Sequence, residues 1–253
     1  MPGLVAKIVD RLRGRLAATA SFPLDYLRFR AASSGEPAGR RPRLRDVKAC
    51  LADRTALTTF DRHYVYHPAW AIRILLETRP AEHVDVSSLL HFAAMASAVV
   101  PVRFYDYRPA PLRLGNLSCG QADLMALPFA DRSIASLSCM HVLEHIGLGR
   151  YGDPIDPRGD RKALAELERV LAPGGTLLVV VPVGRPRVQF NAHRIYDPAT
   201  IVESLPALRL RSFAVVPDAP ARPEEDPGLA DDPDFAIARR QGYGCGCFRF
   251  ERA

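Results

Sequence analysis

His141, Glu144 and His145 form the pattern H-x-x-E-H, which could bind a metal ion. This pattern is the signature of inverted zinc peptidases, where two histidines on one helix face bind zinc and a distant acidic residue completes the site. The sequence then reaches Gly147 and Gly149 at once, which leaves room for about one helical turn after the motif. A metal motif needs its structural context. A zinc peptidase is therefore the remote alternative, and we expect no metal at this motif.

The five cysteines also lack the spacing typical of a metal or redox site. None of them forms a C-x-x-C pair, which predicts reduced thiols and no disulfide framework. Cys245 and Cys247 would point to the same face of an extended strand. Two thiols alone make a poor metal site.

The middle of the chain must form the elements that position His141, Glu144 and His145. Apolar residues of segment 164–171 recur at helical spacing with charges opposite, and the turn formed by residues 173–175 should end that helix. The apolar run 176–181 is typical of a strand buried on both faces of a parallel sheet. With a further strand predicted at 133–140, this order predicts a βαβ crossover. The helical stripe consists of Leu164, Leu167, Val170 and Leu171.

Further strands and helices are predicted on both sides of this crossover. The predicted strands are 83–88, 102–107, 114–121, 208–216 and 243–250, and the predicted helices are 89–98 and 198–204. We expect the last strand to be antiparallel, with glycines that allow close backbone approach or a bulge.

The order A-D, L-P-F, H-V-L-E-H, R-V-L-x-P-G-G resembles the class I S-adenosylmethionine (SAM)-dependent methyltransferases over about residues 80–205. Residues 64–67, 83–86, 146–157 and 190–194 resemble, more narrowly, one poorly characterised methyltransferase-like family catalogued as a domain of unknown function. The resemblance implies an α/β, Rossmann-like, doubly wound fold. Its seven-stranded sheet would be mostly parallel with an antiparallel last strand, and helices would extend it at the N-terminus.

The resemblance also implies SAM as the cofactor, bound where the first strands end. Asp85 is carried over as the acidic residue that holds the amino group of the methionine part. Ser87 and Ser88 occupy a turn that is usually glycine-rich in these enzymes. Serine tolerates the left-handed conformation poorly, although a small hydroxyl could cap the following helix. Asp106 ends the second strand, where an acid can accept hydrogen bonds from both ribose hydroxyls, or it simply begins a turn.

Further residues complete the expected cofactor site. Tyr107 could lie against the adenine. Asp123 stands where the resembling enzymes use an acid to bind the adenine amino group, and Leu124 would offer its backbone N–H to the ring. Asp123 could instead only cap a turn. His141 is expected to border the cofactor.

The acceptor side of the expected site contains two histidines. His193 is the first general-base candidate, because a neutral imidazole can take a hydroxyl proton near pH 7. Its alternative role is to cap the helix at 198–204. His145 faces the substrate or holds its loop. Segment 147–160 is too long for a mere connector and predicts a proline-shaped rim without the spacing of a calcium loop.

The net charge of +6 is concentrated at one end of the chain. Residues 1–45 carry one Lys, nine Arg, two Asp and one Glu, so they account for +7 and the remaining chain for −1. This distribution argues against a nucleic-acid groove in the main domain.

The predicted organisation has three parts. Residues 1–45 are a basic leader and linker, residues 46–80 a helical lid segment or aromatic packing cluster, and residues 81–253 the methyltransferase-like domain, with an acidic insertion at 217–240. Residues 4–16 have the pattern of an amphipathic helix, which predicts a helix resting on an anionic membrane, a helix packed on the domain, or a frayed terminus.

The sequence predicts a cytoplasmic enzyme with optional membrane association, because it has no signal peptide and no apolar run long enough to span a bilayer. The predicted activity is SAM-dependent methyl transfer to a polar small-molecule or saccharide acceptor. The alternative is a non-catalytic binding or scaffold protein with the same fold. Nothing in the sequence indicates the oligomeric state.

Overall fold

The computed structural model describes residues 19–54, 57–220 and 222–253. The chain divides into two compact units, one up to Phe60 and one from Asp61 onward. The predicted membrane-contacting helix at 4–16 lies outside the described residues. Among the described residues, no helix is both long and apolar enough to cross a lipid bilayer.

The first unit is helical over residues 19–32 (α1) and has single 3₁₀ turns at Ala38–Arg40 and Leu44–Asp46. The prediction of helix throughout 46–80 is wrong in its first part, since the described residues between 47 and 61 contain none. The helix of that segment begins at Arg62.

The second unit is built on an eight-stranded mixed sheet. Its strands are β1 His83–Val86, β2 Val102–Asp106, β3 Leu117–Gln121, β4 Ile134–Met140, β5 Leu171–Val183, β8 Leu208–Val216, β9 Ala230–Asp231 and β10 Gly244–Arg252. A separate hairpin consists of β6 Arg187–Gln189 and β7 His193–Ile195. The helices of this unit are α2 Arg62–Thr78, α3 Leu90–Ala96, α4 Gly159–Val170 and α5 Pro198–Glu203.

The strand order is β3-β2-β1-β4-β5-β10-β8-β9. Strands β1 to β5 pair in parallel, and β10 lies antiparallel between β5 and β8. The predicted mostly parallel sheet with an antiparallel last strand is therefore confirmed. The sheet has eight strands instead of the predicted seven, because the predicted insertion adds the two-residue strand β9 at the edge.

Hydrophobic clusters cover both faces of the sheet. Along β5, Val179 and Val181 pack in the cluster that contains α4 and α5, whereas Leu178 and Val180 pack in the cluster that contains α2 and α3. This alternation follows from the two-residue period of a strand and explains the continuous apolar run of β5.

Two local predictions need correction. Leu171 does not extend the helical stripe of α4 but begins β5, and residues 173–175 form an irregularity inside β5, where the pairing with β4 changes register. The sequence also predicts that an aromatic cluster lies between two helices, with Pro68 at the first position of the second helix. This is wrong, because the cluster, formed by Tyr64, Tyr66, His67 and Trp70, lies within α2. Pro68 is inside this helix instead of at its first position, and Asp61 provides the cap by accepting a hydrogen bond from Tyr64 N.

The sheet also fixes where a ligand can enter. The chain builds β1, β2 and β3 in one direction and then returns to place β4 on the other side of β1. At such a reversal, the connections after neighbouring strands diverge and leave a crevice at their carboxyl ends.

A candidate cofactor and acceptor cleft

A cleft opens at this reversal, beyond the carboxyl ends of β1, β2 and β4. Its empty volume, including the part open to solvent, is about 820 Å³. Binding sites for small molecules are typically concave and largely apolar with a few placed polar groups. The lining residues are Ser87, Asp106, Tyr107, Arg108, Ala122, Asp123, Leu124, Met125, His141, Val142, His145, Ile146, Tyr151 and Asp153.

The serine turn after β1 adopts the conformation expected of glycine. Ser87 has a φ of +57°, and its backbone N–H donates to Tyr105 O over 2.6 Å. The prediction that Ser88 caps the next helix is wrong. Its Oγ instead accepts a hydrogen bond from Met140 N over 2.9 Å, and α3 has no side-chain cap. The two serines therefore join β1 to β2 and β4.

Asp85 lies behind the cleft and not in its lining. The side chain is fully buried; Oδ1 accepts a hydrogen bond from Ser138 Oγ over 2.5 Å, and Oδ2 has no partner. Burial raises the pKa of Asp85 to about 7, against the opposing effect of hydrogen bonds from Ser138 and Ser88. His83 contacts the same Ser138 hydroxyl through Nε2 over 2.8 Å.

The structure brings the other predicted cofactor residues together. Asp106, Tyr107, Asp123 and Leu124 all line the cleft. Both aspartates also stabilise their own turns, since Asp106 Oδ1 accepts from Arg108 N over 2.7 Å and Asp123 Oδ1 accepts from Met125 N over 2.8 Å. Each aspartate therefore both stabilises its turn and lines the cleft.

The H-x-x-E-H motif follows β4 as a 3₁₀ turn over Leu143–His145. His141 Nδ1 lies 2.8 Å from Glu144 Oε1, and His145 Nδ1 donates to Ala192 O over 2.6 Å. The continuous helix that an inverted zinc peptidase requires is not formed by these residues. The zinc-peptidase interpretation of the motif therefore fails on geometry.

His193, predicted as the first general-base candidate, does not line the cleft. Its ring centroid is 6.4 Å from that of His145, which does line it, and its Nε2 donates to Gln189 Oε1 over 2.6 Å. The alternative capping role of His193 is wrong, because Asp197 caps α5 by accepting a hydrogen bond from Ala199 N. Burial lowers the pKa of both histidines.

The loop from Gly147 to Asp160 forms the rim that its composition predicts. Asp153 Oδ2 accepts hydrogen bonds from Gly147 N over 2.8 Å and from Gly149 N over 3.4 Å, which closes the loop on itself. Gly147 has a φ of +76°, and a Cβ there would collide with the Asp156 backbone. Tyr151 lies in the lining and stacks under the Arg108 guanidinium, 4.7 Å from the ring centroid.

Several residues of the cleft were not singled out from the sequence. Arg108, Met125, Val142 and Ile146 each follow a predicted site residue within one or two positions, so sequence adjacency was the available signal. Tyr151 lay in the predicted rim.

A second group of rings extends from His141 away from the motif. His63 on α2 stacks between His141, with ring centroids 5.3 Å apart, and Tyr243, at 5.1 Å. Tyr243 in turn contacts His193 at 4.8 Å. Burial lowers the pKa of both His63 and His141 to about 4, so both rings are neutral at pH 7. These residues are distant in sequence, and no local pattern signals their contact.

Comparison with known proteins gives a family match and a fold match. Residues 130–206 match a family model described as "Caenorhabditis protein of unknown function, DUF268". This agrees with the predicted resemblance to an uncharacterised family. No curated protein sequence matches the chain.

Two solved structures illustrate the fold match. The N-methyltransferase NodS from Bradyrhizobium japonicum WM9, in complex with S-adenosylhomocysteine (SAH), aligns with a TM-score of 0.52 and 15% identity over 73% of this chain and 85% of NodS. The 1,6-didemethyltoxoflavin-N1-methyltransferase from Burkholderia thailandensis, with bound 1,6-didemethyltoxoflavin and SAH, aligns with a TM-score of 0.51 and 14% identity over 74% of this chain and 78% of that enzyme. The second unit of this chain therefore has the Rossmann-like fold of the class I SAM-dependent methyltransferases.

Proposed function

We propose that this chain binds SAM in the cleft and transfers its methyl group to a small polar acceptor. The main supporting observation is the cleft at the strand-order reversal, with a carboxylate, Asp106, at the end of its second strand. An acid at this position suits the two ribose hydroxyls of a nucleoside cofactor. SAM would supply the electrophilic methyl group.

The residues of the cleft suit the other parts of this cofactor. Asp123 and the backbone of Leu124 would hold the adenine, with Tyr107 against the ring. The turn at Ser87 would face the methionine part. The unpaired Oδ2 of Asp85 is a buried acceptor that an amino group reaching the turn would satisfy.

His145 is the better placed base for an acceptor hydroxyl. Because its Nδ1 donates to Ala192 O, its Nε2 carries the lone pair. Burial lowers the pKa of this imidazole, which keeps it neutral near pH 7. His193, outside the lining, would orient the acceptor or His145. A saccharide fits the polar rim formed by Tyr151, Arg108 and Asp153, which offers a stacking surface with hydrogen-bonding groups.

Calorimetric titration with SAH tests the cofactor assignment. We expect the wild-type protein to bind SAH and Asp106→Ala to bind it about 100-fold more weakly, since hydrogen bonds to a charged group contribute about 1.5–3 kcal/mol each. Asp231→Ala, an exposed aspartate on β9, is the matched control and should bind normally. Absence of SAH binding by the wild-type protein at high concentration would contradict the proposal and favour the non-catalytic scaffold.

A further inference from the structure

Three residues with metal-binding side chains converge at the edge of the cleft. His63 comes from α2, His141 from the end of β4, and Cys245 from the start of β10. Each can offer one ligand atom such that all three atoms lie within 4.8 Å of one another. The three residues are separated by 78 and 104 positions in the sequence, so only the fold brings them together.

The distances suit a tetrahedral ion. Zinc binds histidine nitrogen at about 2.0–2.1 Å and thiolate sulfur at about 2.3 Å, which places the two ligand atoms about 3.6 Å apart at a tetrahedral angle. Cys245 Sγ lies 3.5 Å from His141 Nε2. This pair therefore already stands at the separation that a shared ion requires.

The surrounding groups orient both rings. His141 Nδ1 faces Glu144 Oε1 at 2.8 Å, so Nε2 is directed to Cys245, and the His63 ring packs against the Tyr243 ring, with centroids 5.1 Å apart. Metal-binding histidines usually use their second nitrogen in this way, on a carboxylate or a backbone carbonyl. Glu144 is itself almost fully buried, and its Oε2 has no partner.

We infer that His63, His141 and Cys245 bind one divalent transition-metal ion of the zinc type. Two imidazoles and a thiolate favour zinc, cobalt or copper over magnesium and calcium, which prefer oxygen ligands. The site is distinct from the peptidase arrangement of H-x-x-E-H, because His145 is not among the three residues whose ligand atoms converge.

Three protein ligands leave a fourth coordination position open, as in catalytic zinc sites. His141 also lines the cleft, so the ion would lie at the cleft edge. A hydroxyl or thiol bound at that position would lose its proton more readily. The site thus extends the proposed function towards acceptor binding, but metal binding by the protein does not depend on SAM.

The experiment is a titration of the chelator-treated, reduced protein with Co²⁺ and then Zn²⁺, in the absence of SAH. Cobalt bound to a thiolate gives a charge-transfer absorption in the near ultraviolet, which zinc should abolish by displacement. The test variants are Cys245→Ala and His63→Ala. Their controls are Cys119→Ala, a partly buried cysteine on β3, and His91→Ala, an exposed histidine on α3.

We expect one cobalt ion per wild-type chain, with the thiolate band present. Cys245→Ala should lose the band, and both test variants should bind zinc more than about 100-fold more weakly, since even changes around the ligands cost 10–100-fold. Both controls should bind as the wild-type protein does.

A wild-type protein without the cobalt band, or test variants that bind zinc as tightly as their controls, would overturn the inference. Circular dichroism of each variant establishes that it is folded. The half-buried position of His63 provides a test that does not alter the sheet. If the protein binds SAH but not cobalt or zinc, only the metal-site inference is wrong. If it binds the metal but not SAH, only the proposed cofactor assignment is wrong.

Discussion

The two halves of the cleft are built in different ways. The half at the ends of β1, β2 and β3 consists of short turns in which each aspartate bonds a backbone N–H two residues ahead. At the end of β4, His141 and His145 line the cleft and are backed by three further rings, from α2, from β7 and from the residue before β10, with the buried Glu144 against His141. The first half depends on local sequence, and the second on the assembled fold.

Under the proposed function, this difference would separate cofactor binding from proton transfer. The carboxylates of Asp106 and Asp123, fixed in short turns, suit the polar groups of a cofactor. The buried half keeps its histidines neutral and holds Glu144 with a pKa raised to about 7 by burial, which suits proton exchange. Asp85 is the exception in the first half, because it is buried as deeply as Glu144.

The largest expected effect concerns Asp85 and the pH dependence of stability. The folded state keeps this carboxyl protonated up to a pKa of about 7, whereas the unfolded chain releases the proton near pH 4. The unfolded state therefore binds fewer protons between these values, and the stability of the wild-type protein should fall as pH rises through that window. Asp85→Asn should remove this fall and gain up to about 4 kcal/mol relative to the wild-type protein between pH 4 and pH 8.

Denaturant unfolding of both proteins across this range measures the effect. Asp231→Asn, an exposed aspartate on β9, serves as the control. Parallel pH profiles for Asp85→Asn and the wild-type protein would show that Asp85 is ionised in the fold and belongs with the other cofactor-side carboxylates.

The next effect concerns His145 in the second half. His145→Gln should lower kcat for methyl transfer to a hydroxyl acceptor about 100-fold or more, because a positioned base contributes roughly 10²–10⁴-fold. The KM for SAM should change little. The acidic limb of the wild-type rate profile should lie below pH 6.5, since burial lowers the pKa of His145.

Transfer of a radiolabelled methyl group, with the exposed His91→Gln as control, checks this prediction. If His145→Gln has an unchanged kcat and His193→Gln loses activity, the general base is instead His193 on the β6–β7 hairpin.

The smallest effect concerns the serine turn. Ser87→Gly should raise the free energy of unfolding by about 0.5–1 kcal/mol, because glycine relieves the left-handed strain at φ +57° while adding some entropy to the unfolded chain. SAH binding should be unchanged. A weakened affinity for SAH would show that the Ser87 hydroxyl contacts the ligand, and thermal unfolding with and without SAH distinguishes the two outcomes.

Sequence reasoning predicted most of the sheet because its signals are local. The apolar run of β5 and the strand 208–216 were recognisable from periodicity alone, and β8 has the predicted bounds. The helix α4 ended one residue early, since Leu171 pairs with Ile134 and extends β5 through a glycine irregularity. Sheet pairing there overrode the helical pattern.

The same reasoning could place single site residues but not their partners. Asp106 ends β2 and Asp123 follows β3, where the family resemblance implies cofactor-binding acids. His63 meets His141 and Tyr243 only in the folded sheet, and no spacing in the sequence indicates these contacts. The raised pKa of Asp85 comes mainly from its burial, which the residue type alone does not reveal.

The place of β10 in the sheet has a consequence for synthesis. Because β10 lies between β5 and β8 but follows both in the sequence, these two strands cannot be joined in one sheet until β10 has been synthesised. Until then, each presents a row of unpaired backbone groups, a form prone to association with other chains. Arrival of β10 closes both edges and, in the same event, delivers Cys245 to His63 and His141.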